Sequence, residues 1–151
     1  MSDFVKADQV LLDVDCATKE DVLELLSKKA VELGISDDEA AVRAAFDARE
    51  EEGSTGMMDG FAVPHAKTDA IKHASVIVLR FTGAVGNWIG LDDSDITAAI
   101  ALLVPAAEAG STHIGLLAKI ARALMDDEFR AGVRAATEPQ HVADLINARL
   151  D

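Results

Sequence analysis

Arg49, His65 and His113 are the side chains of this sequence best suited to chemistry on an anion. His65 directly follows Pro64, at the end of the apolar run Phe61-Ala62-Val63. Imidazole is substantially neutral, and therefore nucleophilic, near pH 7. Proline has a locked φ and no N–H, so it cannot continue a central ladder, and it biases the preceding residue towards extended geometry. His65 is therefore expected at a strand end, on the rim of a sheet, where open α/β folds tend to bind ligands. Gly53, Gly56 and Gly60 let the preceding chain turn tightly and approach a ligand closely. Arg49, near the end of a predicted helix, offers a planar fork for an anion. His113 is expected in the first turn of a helix opened by Ser111 and Thr112, where unpaired N–H groups favour an anion and depress a histidine's pKa. If they converge, these groups suit a phosphoryl group.

The elements that must position them can be read from capping residues and hydrophobic period. Thr18 with Asp21 opens a helix whose Val22, Leu25, Leu26, Ala30 and Leu33 share a face, and Gly34 ends it. Ser36 with Glu39 predicts a second helix, with Val42, Ala45 and Phe46 inward and Gly53 as its stop. Ala74–Phe81 is short, β-branched and bounded by turn residues, hence a strand. Thr97–Pro105 is nearly apolar throughout, as a strand buried on both faces should be. "GFAVP" and "QVLLDV" are shorter strand candidates. Three helices follow: 111–126 with Ile114, Leu117, Ile120, Ala121 and Leu124 inward, a short one within 126–136, and one over 137–149 opened by Thr137 with Gln140. Helices at both ends with strands between them predict a single α/β domain over 1–151, with a mixed, mostly parallel sheet flanked by helices on both faces.

Composition narrows the function classes. The chain has 151 residues, half of them hydrophobic and 4% aromatic, so one core of Ala, Val, Leu and Ile is expected. A formal charge of −13 opposes binding to nucleic acid or to anionic lipid, and no apolar run is long enough to span a bilayer. The N-terminal residues lack a basic region followed by an apolar core, and the single cysteine, Cys16, fits a reducing cytoplasm.

The segment Ala48–Ile71, "AREEEGSTGMMDGFAVPHAKTDAI", resembles the signature of enzyme IIA components of the phosphoenolpyruvate-dependent sugar phosphotransferase system, mannitol/fructose type. It shares an Arg-Glu ending a helix, a Gly-Ser-Thr-Gly turn, and Gly-x-Ala-x-Pro-His-Ala. The similarity extends to "GISDDEAAVRAAFDARE", Trp88, the apolar strand ending at Pro105, and "THIGLLAKIARAL". The resemblance implies that His65 is phosphorylated by the phosphohistidine carrier HPr and passes the group to a cysteine of a IIB domain of a membrane permease. It further implies supporting roles for Arg49 and His113, and hydrogen bonding from Thr55 and Ser54. No cofactor or metal is implied. Met57-Met58-Asp59 and Phe61 depart from typical members, which bears on specificity more than on chemistry.

Other residues carry weaker signals. His73 and His141 read as solvated, and Cys16 has no glycine-rich anion loop after it. Asp92, Asp93 and Asp95 lack the calcium-loop pattern and read as a charged turn. Trp88 suits either a docking surface or packing. Three rival functions stand beside the phosphocarrier: a nitrogen-type regulatory relative with the same chemistry, a metal-dependent hydrolase using His65 and His113 with carboxylates, and a non-catalytic acidic interaction module. The hydrolase lacks any His-x-x-x-His or His-x-Asp pair.

Overall fold

The computed structural model describes residues 4–108 and 114–150. In chain order the elements are β1 (Val10–Val14), α1 (Lys19–Glu32), α2 (Glu39–Glu52), β2 (Phe61–Ala62), β3 (His65–Lys67), β4 (Ser75–Ile89), β5 (Asp95–Val104), α3 (Ile114–Leu124), α4 (Asp127–Ala135) and α5 (Pro139–Leu150). Among the described residues one five-stranded sheet runs β1-β4-β5-β2, with β3 following β2 along the same flank of β5. β1 lies parallel to β4, β2 and β3 lie parallel to β5, and only β4 and β5 are antiparallel. The mixed, mostly parallel sheet expected from the sequence is thus the observed one.

Two apolar layers cover the sheet. Val22, Leu23, Leu26 and Ala30 of α1 pack with Val42 and Phe46 of α2 against Ile77, Leu79, Ala99, Ala101 and Leu103. On the other face Ile120, Leu124, Phe129, Val133, Val142 and Ile146 pack on Val76, Val78, Ile100 and Leu102. Alternate residues of β4 and β5 therefore feed opposite cores, as a two-residue period requires. That double burial accounts for the unbroken apolar run of β5.

Helix starts follow local chemistry, with some corrections to the sequence reading. Thr18 caps α1 and Asp21 completes the box, as expected. Leu23 takes the fully buried place on α1, with Leu25 only partly covered. Asp38, not Ser36, caps α2 by accepting from the Ala41 N–H. The Ser36 hydroxyl instead accepts from the N–H of Asp38, two residues on, which holds the cap in place. Among the described side chains of α3, Leu116, Ile120, Ala123 and Leu124 are buried and Ala121 is not, so the inward face is rotated from the expected one. α5 begins at Pro139, and its Gln140 donates to Asp144 instead of closing a box with Thr137. β4 is the largest departure: it continues through the glycine-containing stretch 82–89 with register shifts between Arg80, Val85 and Ile89. Its period-two signal is broken there because each shift changes which residues face inward. Among the described residues no helix is long and apolar enough to cross a membrane.

Candidate functional site

The wall of the site is made by α2 and β3. Ala45, Ala48, Arg49 and Glu52 from the helix face His65 and Lys67 from the strand across a cleft of about 200 Å³. The two alanines matter because small side chains let the helix approach the strand. Arg49 lies in the last turn of α2 and donates from Nη1 to the Gly53 carbonyl oxygen at 2.9 Å. This bond supplies a donor-starved helix end with a cation and fixes the guanidinium over the cleft. Its remaining N–H groups can be directed at an anion.

The chain between α2 and β3 folds into a small hairpin. Val63 N–H donates to the Thr55 carbonyl at 3.0 Å, Gly56 bridges Ala62, and Met57 N–H donates to the Phe61 carbonyl at 2.7 Å. At its tip Phe61 N–H closes onto the Met58 carbonyl, with φ of 56° at Asp59 and 80° at Gly60. Two successive left-handed residues are what a type I′ turn demands, and Asp-Gly is among its preferred pairs. A Cβ on Gly60 would also meet Thr97 Oγ1 at 2.8 Å and the Asp95 carbonyl at 3.0 Å. Gly56 is equally constrained, since its Cβ would stand 2.5 Å from the Ile89 carbonyl oxygen. The glycines predict tight turns here but not the hairpin, for which Asp59-Gly60 is the available signal.

The hairpin leads directly to His65. Leu102 N–H donates to the Pro64 carbonyl at 2.9 Å, and His65, Ala66 and Lys67 then pair with Leu102, Leu103 and Val104. Pro64 therefore interrupts the flank strand instead of ending it, and His65 is the first residue of the resumed strand, not the last of the one before. The interruption is tolerated because this strand has β5 as its ladder neighbour on one side, so the missing N–H costs no bond in a central ladder. His65 is 6% exposed.

The structure brings Arg49 and His65 into one cleft, whereas Thr55 and Ser54 lie in the preceding turn and do not line it. Thr55 is buried and donates its hydroxyl to Glu50 Oε2 at 2.5 Å, while its N–H reaches Glu50 Oε1 at 3.3 Å. Ser54 Oγ accepts from the Gly56 N–H at 3.1 Å, a local bond that tightens the turn. His113 falls outside the described residues.

Two residues that the sequence reading did not single out belong here. Glu50, with its side chain 5% exposed, receives both Thr55 bonds and has Lys19 Nζ 3.8 Å from Oε1. It is thus two hydrogen bonds from the histidine strand, through Thr55 and Val63. Lys67 adds a second cation to the cleft, and its two-residue spacing from His65 was the signal that could have found it.

The remaining candidates lie elsewhere. His73 and His141 are exposed, as read from the sequence. Trp88 is 1% exposed within the α1–α2 core, so packing is its role. Burial, then Asp21 and Asp15, push the Cys16 thiol up, which keeps it protonated and unreactive. Asp92 accepts from the N–H groups of Asp59 and Ser94 and from the Ser94 hydroxyl, which lowers it to about 2. Its carboxylate is spent on the turn. Among the described residues no three His, Cys, Asp or Glu side chains are grouped as metal ligands.

Residues 3–149 match the family model of the phosphoenolpyruvate-dependent sugar phosphotransferase system, EIIA 2. The chain belongs to this family. It is 33% identical over 146 residues to the fructose-specific EIIA component of Haloferax volcanii, covering 97% of this chain and 94% of that one. It spans only 21% of the 2-O-alpha-mannosyl-D-glycerate-specific EIIABC component of Escherichia coli, to which it is 32% identical over 142 residues, 93% of this chain. Among solved structures, the nitrogen regulatory protein IIA-Ntr of Neisseria meningitidis superposes with a TM-score of 0.86 at 25% identity, covering 95% of this chain and 96% of that one. The mannitol IIA of Escherichia coli, in complex with phosphorylated IIB, superposes with a TM-score of 0.79 at 20% identity over 95% and 97% of the two chains. Membership of the EIIA 2 family makes this chain a component of a phosphoryl-transfer system.

Proposed function

We propose that the protein is a phosphocarrier whose transient phosphoryl group resides on His65. The observation that carries this reading is the cleft in which Arg49 and Lys67 stand with His65. A ring-nitrogen lone pair of His65 attacks phosphorus on the donor's phosphohistidine. The donor's P–N bond breaks, and its imidazole leaves with the electron pair. Breaking one P–N bond while forming another is nearly balanced, so positioning and charge stabilisation are what remain for the protein to supply. Arg49, held by Gly53, presents a fixed fork to the equatorial oxygens, and Lys67 adds a mobile charge. Thr55, whose single hydroxyl proton goes to Glu50, braces the turn instead of donating to phosphate. His113 enters this proposal from the family resemblance, as a further N–H donor.

The donor is phospho-HPr and the acceptor is a cysteine of a IIB domain serving uptake of a fructose- or mannitol-type sugar. The fructose-specific relative and the mannitol IIA–IIB complex support this assignment. The fold's likeness to IIA-Ntr favours a second reading, in which the phosphorylation state controls other proteins. The chemistry at His65 is common to both, and the acceptor separates them: transfer to a sugar-linked IIB cysteine supports transport, and failure of that transfer from a competent phosphoprotein supports regulation. The primary test is mass spectrometry after incubation with phosphoenolpyruvate, enzyme I and HPr. A phosphoadduct mapped to His65 and lost in His65→Ala is expected; an acid-labile adduct persisting in that variant rejects the proposal. Arg49→Lys keeps the charge but loses the fork, and should slow transfer on the order of tenfold while leaving the fold intact.

A further inference from the structure

Asp59 is one of two residues in left-handed conformation at the hairpin tip, and its interactions exceed what a turn needs. Its carboxylate Oδ2 accepts from Arg130 Nε and from Arg134 Nη1, each at 2.8 Å. Arg134 also donates to the Asp59 carbonyl, and its guanidinium lies 4.8 Å from the centroid of the Phe61 ring. Arg130, with its side chain 11% exposed, further reaches the Leu124 carbonyl at the end of α3 and the Asp127 carboxylate at the start of α4. From the other side, Asp59 N–H donates to Asp92 Oδ2 at 2.9 Å and Gly60 N–H to Ser94 Oγ at 2.9 Å. Asp59 therefore ties the hairpin to the α3–α4 junction and, with Gly60, to the β4–β5 turn. The bonds from Arg134 and Arg130 hold the Asp59 carboxyl below its ordinary range.

We propose that Asp59 is a positioning residue for phosphoryl transfer at His65, acting through the hairpin that it pins to α4. The inference rests on the phosphocarrier reading given above. The chain of contact is short: Asp59 fixes the tip, the hairpin's bonds fix Val63 beneath Thr55, and Pro64 then delivers His65 to the cleft opposite Arg49. A nucleophile misplaced by a fraction of its reach loses rate without losing the ability to meet its donor.

Asp59→Gly removes the carboxylate while accepting the positive φ, so it separates the clamp from backbone strain; Asp59→Asn keeps an acceptor and tolerates the same φ. For the full chain with phospho-HPr as donor, Asp59→Gly should lower kcat on the order of tenfold with KM unchanged, and Asp59→Asn should restore much of it. In proton NMR of the unphosphorylated protein, Asp59→Gly should move the His65 ring signals while those of His73 and His141 stay in place. That second readout stands even if His65 takes no phosphoryl group, in which case the phosphocarrier reading fails alone. A rise in KM with kcat intact would overturn the proposal and give Asp59 to partner docking. Unmoved His65 signals, or wild-type transfer by Asp59→Gly, would overturn it as well.

Discussion

The two helical layers are fastened to the same sheet by different means. α1 and α2 lie on it chiefly through apolar side chains; their ion pairs Lys28–Glu24, Lys29–Glu32 and Arg43–Asp47 run along single helices at the surface, and Lys19–Glu50 links the two helices to each other. The α3–α5 layer has an apolar core of its own but adds arginines that reach across elements. Arg80 Nη1 donates from β4 to the carbonyls of Val133, Arg134 and Ala136 at 3.0, 3.0 and 2.6 Å, capping the end of α4. Arg130 and Arg134 grip Asp59, and Arg149 of α5 holds Asp126, the cap of α4. The α3–α5 layer thus grips the tip of the histidine's hairpin through Asp59, while α2 supplies the cleft wall by packing and braces the hairpin's base through Glu50 and Thr55. The wall comes from one side, and the hairpin is held from both.

If that division holds, damage to each layer should have a distinct character. The largest loss is expected in the packed layer: Phe46→Ala leaves a cavity under α2 and should cost about 3–5 kcal/mol in urea unfolding. A much smaller cost would mean that α2 is held by something other than its apolar face. Next comes Arg80→Met, which preserves much of the stem but abandons three carbonyls at a helix end; about 2 kcal/mol is expected by the same measurement. A neutral result there would dissolve the contrast between the layers.

Acid should act on the arginine-fastened side. Asp59 and Asp126 are both held below the ordinary carboxylate value of 3.8, chiefly by hydrogen bonds from Arg134 and Arg149 respectively. A depressed folded-state pKa gives stability that is complete above the unfolded value and is lost as pH falls through the folded one. Amide exchange in α4 and the hairpin tip should therefore quicken below about pH 4 before that of α1 and α2 does. The smallest effect is expected from Arg43→Ala, an exposed pair within one helix, at under about 0.5 kcal/mol. A larger value would show that surface pairs hold α2 after all.

Much of the fold is legible in the sequence because its signals are local. Thr18 with Asp21 at a helix start, Gly34 and Gly53 at helix ends, and the apolar run of β5 each settle their own neighbourhood. The misses share a cause. Leu23 in place of Leu25 and Leu116 in place of Leu117 depend on how a helix is rolled against the sheet, which a shared apolar face does not specify. The extension of β4 to Ile89 depends on register shifts supported by its neighbours. For the site, Arg49 and His65 were legible from residue type and from their company. Glu50 is marked only as the partner of Arg49 in the family signature; within an Arg-Glu-Glu-Glu run residue type alone does not say which carboxylate turns inward. Lys67 became visible only once Pro64 proved to be followed by a strand, and the arginines of α4 carry no sequence mark of their reach to Asp59.

The placement of His65 has a consequence for the molecule's behaviour among its own kind. A sheet margin bearing free amides and carbonyls invites another margin to zip onto it. Here that flank is broken into pieces of two and three residues, with a proline between them and Lys67 closing the second. Fragments so short, punctuated and charged make a poor template for self-association, so His65 can sit at the border of the sheet without that border becoming a seed for aggregates.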